Sequence, residues 1–294
     1  MKQKIIFLLF SLLSLPALAE KDYSWWNEIH GWVPGGPSWR LFLHISPGYL
    51  GPNGLPVPEV AKGILSEKKS IEFGSGIHFQ KGDNAQDLFG KFYYPFANSR
   101  IAIEIYGVGI EHYAMSDSVR DARVSRVKSG EGIAFGDLYF ATLIQICRDR
   151  RFPNTLLRMA CKTASGDPLE AVRYSDSPGY FFDLSFSKQY GAEGAWKWLP
   201  FASGGFYSWQ TSQPEIWQND AYMYAAGLEC SKKNWTVTHS ISGYSGYKDE
   251  LDCPMVYTFD VKKQMKKNVI RVQYLHGFRD WLYNSVKISY VWTW

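Results

Sequence analysis

No stretch of the 294-residue chain beyond its first twenty residues is apolar for long enough to cross a bilayer as a helix, which takes about 18 or more apolar residues in a row. Cysteine is scarce. Cys147, Cys161, Cys230 and Cys253 have neither the density of a disulfide framework nor the spacing of a metal site, so free or mostly buried thiols and no metal are expected. Charge is also scarce: 20% of residues are Asp, Glu, Lys or Arg, against about 25% in ordinary soluble domains. The formal net charge is +4, and only +2 without Lys2 and Lys4, which argues against a nucleic-acid partner. Nothing in the sequence calls for a cofactor.

Aromatic residues are abundant, at 17%, with 12 Trp, 19 Tyr and 18 Phe. A membrane-spanning barrel uses such rings as girdles at both interfaces, whereas a soluble domain has little need of so many. The chain opens with Lys2 and Lys4, an apolar run over 5–15 and Ala17-Leu18-Ala19, the three parts of a secretory signal. A signal peptide over 1–19 is therefore expected, and with it export from the cytoplasm.

From Ile71 onward the chain alternates with period two in twelve segments: 71–80, 86–96, 100–113, 136–147, 154–164, 178–190, 195–209, 219–231, 234–244, 254–263, 267–277 and 282–294. In one of them Tyr180, Phe182, Leu184 and Phe186 alternate with Phe181, Asp183, Ser185 and Ser187. These segments are longer than the usual ~5–6 residues of soluble strands and long enough for a tilted ~9–11-residue span. Short connections (97–99, 148–153, 191–194, 232–233, 264–266) alternate with longer ones (114–135, 165–177, 210–218, 245–253). Bacterial barrels show that asymmetry, with tight periplasmic turns and longer outer loops. The reading is an all-β protein: a closed antiparallel transmembrane barrel of 12 strands over 71–294, located in the bacterial outer membrane. Twelve strands enclose a small lumen, one that side chains or a segment would partly obstruct.

The last residues, Val286 to Trp294, place Tyr290, Trp292 and Trp294 at alternate positions. This ending resembles the terminal assembly signal of bacterial outer-membrane barrels, with Trp where that family usually ends in Phe. The resemblance implies outer-membrane lipid and lipopolysaccharide as surroundings and the barrel assembly machinery as a partner. A second resemblance covers about thirty residues. Gly136-Asp137-Leu138, a strand, a turn, Leu156–Thr163 and Ala164-Ser165-Gly166 look like the corresponding run in the aromatic-degradation MetA-type transporter-like barrels, without that run's proline. It implies uptake of small hydrophobic compounds.

Residues 20–70 read differently. Six Gly and six Pro fall between Gly31 and Pro58, so a regular ladder is not expected there, apart from a strand-like Trp39–Ile45. Trp25, Trp26, Trp32 and Trp39 are costly to leave in water, so the segment is expected to pack at the periplasmic mouth or to enter the lumen. Candidate lumen residues for a small-molecule solute are Glu104, Asp137, Arg158, Lys162, Asp183, Asp260 and Arg271, with both signs interleaved; Arg158 and Lys162 share one strand face, which either attracts an anion or, for Arg158, is neutralised by Asp183 on the next strand. A lipid-modifying hydrolase is the alternative, with His239 as its weak candidate catalyst, since Ser240 and Ser242 face away from it. His44 and Ser46, two apart, lie outside the predicted strands. A structural or adhesive barrel is the third reading. The polar run 114–135 is expected as a solvated loop, a lipopolysaccharide contact or a lid.

Overall fold

The computed structural model describes residues 21–148 and 151–294, so the expected signal peptide lies outside the described residues. The chain forms two units. In the first, which ends at Gly36, helix α1 (Ser24–His30) brings Trp26 and His30 within 4.8 Å between ring centroids. It stops at Gly31, whose φ of 66° is left-handed, the usual helix-ending conformation for glycine.

The second unit, from Pro37 to Trp294, is the barrel. Its strands are β1 (Ser70–Gln80), β2 (Asp83–Phe96), β3 (Ile101–Met115), β4 (Glu131–Ala134), β5 (Leu138–Cys147), β6 (Asn154–Lys162), β7 (Gly179–Ser187), β8 (Lys197–Gln213), β9 (Ile216–Lys232), β10 (Trp235–Gly246), β11 (Met255–Met265), β12 (Asn268–Arg279) and β13 (Asn284–Thr293). All pairings are antiparallel between neighbours, and β1 pairs β13 from Ser70↔Thr293 to Phe79↔Asn284. The ring is therefore closed, with twelve strands in its wall. The thirteenth, β4, is a four-residue flap hydrogen-bonded to the upper part of β3. Closure pairs every wall strand on both sides, which is what a sheet in lipid requires.

The alternation sets which face is which. Tyr180, Phe182, Leu184 and Phe186 point outward and are exposed, while Phe181, Asp183, Ser185 and Ser187 point inward and are buried. In β13, Val286, Ile288, Tyr290 and Trp292 lie outside, and Ser285 and Ser289 inside. An apolar exterior around a polar interior inverts the soluble pattern and suits acyl chains as solvent. Exposed Trp198, Trp235, Trp292 and Trp294 sit at the end that carries the barrel's termini; Trp217, Tyr222 and Tyr247 sit at the other. These are the two aromatic girdles.

Four expectations need correction. The connection at 210–218 is not a loop: β8 and β9 run on to Gln213↔Ile216 and turn at Pro214-Glu215. Polar residues there looked like a loop, but a ladder continuing past the lipid has no need of an apolar face. The turn at 191–194 widens to 188–196, with Gly191 and Gly194 at positive φ. Trp39–Ile45 is not a strand; Trp39–Phe42 forms a 3₁₀ turn. The four cysteines are unpaired but not buried: Cys161 is exposed on the outer wall and the others are partly exposed, because alternation places Cys161 with Met159 and against Tyr180 on the lipid side.

Residues 37–69, hereafter the lumen segment, run inside the ring. Having no ladder, their backbone groups bond to the wall and loops. Trp209 Nε1 donates to the Ile45 carbonyl at 2.8 Å, Trp281 Nε1 to Pro52 at 2.9 Å and Tyr244 Oη to Leu55 at 2.7 Å. Nearer β1, the Leu65 N–H donates to Gln145 Oε1 at 2.8 Å, and Gln145 Nε2 to the Gly63 carbonyl at 2.8 Å. Leu43, Ile45, Leu50, Leu55 and Leu65 join Tyr139, Phe181, Tyr207, Trp209 and Tyr244 in one apolar cluster. Two glycines are needed for this course. A Cβ on Gly51 would lie 2.8 Å from Arg173 Nε, and one on Gly54 would lie 2.6 Å from the Arg173 carbonyl oxygen. The Gly/Pro-rich composition is thus that of a chain squeezed past its own loops.

Candidate lumen site

Inward-facing charges collect in two groups, one at each end of the lumen. At the long-loop end Asp83 lies 2.6 Å from Arg123 and 2.6 Å from Arg173, and accepts a bond from the Tyr283 hydroxyl. Arg173 also holds Glu111 at 2.7 Å and covers the Tyr113 ring at 4.9 Å. Glu111 accepts from the Tyr174 hydroxyl at 3.0 Å and from Asn53 of the lumen segment at 2.9 Å. Burial alone would favour neutral Arg173, but Glu111, Tyr283 and Asp83 outweigh it and hold the guanidinium more firmly protonated than usual. Burial, then Glu111, push the Tyr174 hydroxyl well above the ordinary phenol range.

The loops that supply these groups fold inward. The 114–135 stretch is part solvated and part folded inward: helix α2 (Asp117–Ala122) and β4 lie in it, Ser129 is exposed, and Arg123 reaches the barrel interior. Arg126 lies over the Trp39 ring at 5.0 Å. Asp137 and Lys162 face each other at 2.7 Å with neither side chain exposed, and Lys162 also bonds Ser175 Oγ at 3.0 Å and the Ser177 carbonyl at 2.8 Å.

Close by, Asn53 also donates to Asp87 at 2.8 Å. Asp87 Oδ2 lies 2.8 Å from His78 Nε2, and His78 Nδ1 lies 2.7 Å from Ser285 Oγ. These are the residue types of a nucleophile, base and orienting acid. His78 and Ser285 are wholly buried, however.

The end near the barrel's termini is looser. Arg271 bonds Asp260 through Nε at 3.1 Å and Nη2 at 2.9 Å, reaches Glu72 at 3.5 Å, and donates to Glu59 of the lumen segment. Lys91 pairs with Glu104 at 3.0 Å and Glu59 at 3.6 Å. Arg158 pairs with Asp183 at 2.7 Å, lies over Phe181 at 4.9 Å and donates to the Glu59 carbonyl at 2.7 Å. Lys62 pairs with Glu229 at 2.6 Å and donates to Thr238 at 2.9 Å. A cavity of about 210 Å³ lies between Pro56–Lys62 and this wall. Tyr106 and Tyr139, stacked at 5.0 Å with 9° between planes, line it together with Val57 and Val60.

Of the residues singled out from the sequence, Glu104, Asp137, Arg158, Asp260 and Arg271 border the cavity. Asp183 stands behind Arg158 as its counter-ion, and Lys162 is sealed against Asp137. The anion-attracting pair does not form, because each cation already has its own carboxylate. His239 sits on the exterior with its Nδ1 2.6 Å from the Tyr257 hydroxyl and its ring 4.9 Å from Phe259, while Ser240 and Ser242 point inward. His44 stacks on Tyr49 at 4.6 Å and lies 3.4 Å from Glu250. Glu59 and Lys62 were missed. Their only sequence signal is being charged in an otherwise Gly/Pro-rich apolar stretch. Arg123 and Arg173 were missed as interior groups because a loop has no period to aim a side chain.

No family model matches the chain, and no curated protein matches it closely enough to count. Its fold is similar to that of an outer membrane channel from Pseudomonas putida F1, at a TM-score of 0.57 and 10% identity, covering 81% of this chain and all (100%) of the other. Looser likenesses are the KdgM porin (TM-score 0.47, 8% identity, 76% of this chain and 99% of that one) and the CymD monoaromatic hydrocarbon channel (TM-score 0.40, 8%, 78% and 90%). Closed ring, lipid-facing exterior and aromatic girdles together define an outer-membrane β-barrel.

Proposed function

We propose that this barrel takes a small, uncharged, single-ring solute into the cavity beside Pro56–Lys62, and that the lumen segment restricts its onward passage. One observation carries the reading: most of the cavity's charged groups are paired with one another, and Tyr106, Tyr139, Val57 and Val60 line the space between them. Such a lining offers no net field for an ion but does offer contact to an apolar ring. An apolar cavity of ~150 Å³ is enough to take up benzene, and this one is about 210 Å³. The likeness to an outer membrane channel supports passage of a solute, and the short resemblance to MetA-type barrels supports a hydrophobic one. The short turns and the barrel's termini face the periplasm in this reading, and Val286–Trp294 serves as the assembly signal.

Calorimetric titration of the detergent-solubilised protein with toluene tests it. Saturable binding is expected, lost in Val60→Trp, which fills the cavity, and kept in His239→Ala on the exterior. Absence of saturable binding by the unaltered protein, or unchanged binding by Val60→Trp, defeats the proposal.

A further inference from the structure

The lumen segment has a direction. At Lys69 it joins β1 beside the chain's end, where the Trp294 N–H donates to the Lys69 carbonyl at 3.2 Å. Its partners then climb the barrel as residue number falls. Leu65 and Gly63 bond Gln145 and Ser185 near the short turns. Lys62 meets Glu229 and Thr238, and Leu55 meets Tyr244 higher on the wall. Gly48 donates to Leu251 at 3.1 Å, Arg40 pairs with Asp176 at 2.8 Å, and Trp39 lies under Arg126. Those last three partners belong to the loops 247–254, 163–178 and 116–137, all at the end opposite Lys69.

We propose that the lumen segment is itself a membrane crossing, with Lys69 on the periplasmic side and Ser38–Arg40 at the cell surface. The argument needs the orientation given above but not the solute reading. Two further features bear on how the arm comes to lie there. The wall is closed by ten paired positions between β1 and β13, and the lumen is blocked at its loop end by Arg173, whose backbone carbonyl accepts from Gly51 at 3.0 Å. Both features hold the arm inside the closed ring. The arm has no ladder of its own, and donors of the wall satisfy its buried carbonyls instead.

Labelling of intact cells with a membrane-impermeant maleimide decides the matter. In a background with Cys147, Cys161, Cys230 and Cys253 replaced by serine, one cysteine is returned at Ser38, at Lys68 or at Ser129 in the 116–137 loop. All three positions are exposed. Ser38→Cys and Ser129→Cys are expected to label on intact cells, and Lys68→Cys only after the outer membrane is permeabilised. If Ser38→Cys labels only after permeabilisation while Ser129→Cys labels before it, the crossing is refuted. If Lys68→Cys labels on intact cells and the other two do not, the orientation is inverted and the proposal falls with it. Heat-modifiable gel mobility shows that each variant is folded. Should Ser38→Cys fail that check, an epitope inserted between Gly36 and Pro37 and read by antibody on intact cells gives the same two outcomes. Toluene binding can fail without altering this pattern.

Discussion

The two ends of the lumen carry charge networks of similar make-up, but only the one near the barrel's termini has partly hydrated members beside its buried pairs. At the loop end Asp83, Glu111 and Arg173 have side chains with 0% exposure, whereas at the other Glu59 is 46% and Lys91 26% exposed. Fully buried ions need every partner, because desolvation costs several kcal/mol per ion and only good geometry returns it. Half-hydrated ions keep water as a substitute. The loop end is therefore a lock that tolerates no missing piece, and the end near the termini is a place where groups can shift to admit something.

The largest effect expected on that contrast is from Arg173→Ala, which leaves buried Glu111 without a cation and Asp83 with Arg123 alone. A loss of about 3–5 kcal/mol is expected for breaking a buried pair, seen as a lower unfolding temperature in detergent. Lys62→Ala breaks a pair that is 20% and 22% exposed and should cost about 0–1 kcal/mol in the same assay. Equal losses for the two variants would erase the distinction between lock and site.

A smaller effect sharpens the comparison from the loop side. Burial would raise the Glu250 carboxyl, but the hydrogen bond and charge of Lys248 and the charge of His44 outweigh it and hold it below the ordinary carboxylate range. A depressed carboxylate contributes stability above its unfolded value and loses it as pH falls through the folded one. Protease resistance of the 247–254 loop should thus decline on acidification through the carboxylate range, and Glu250→Gln should flatten that dependence. A loop that stays equally resistant in both proteins would show that the Glu250 contacts do not hold it.

Much of the wall was legible before any coordinates. All twelve wall strands fall within a few residues of their expected spans, and Tyr180 through Ser187 sort onto the faces that alternation assigns them. Of the candidate residues, five reach the cavity border, because period two aims a strand side chain in or out without regard to neighbours. What alternation does not give is the partner. Arg158 and Lys162 share a face as expected, yet Asp183 and Asp137 neutralise them separately, and that depends on register across strands.

Sequence by itself determined a lipid-facing, closed, twelve-stranded ring, since hydrophobic alternation and turn spacing are local signals that each strand carries alone. Only the tertiary structure decided what fills the ring. Glu59, Lys62, Arg123 and Arg173 lie in segments with no period, and their side chains are aimed by contacts with strands up to 212 residues away, as between Glu59 and Arg271. Such pairings exist only once the barrel has closed around them.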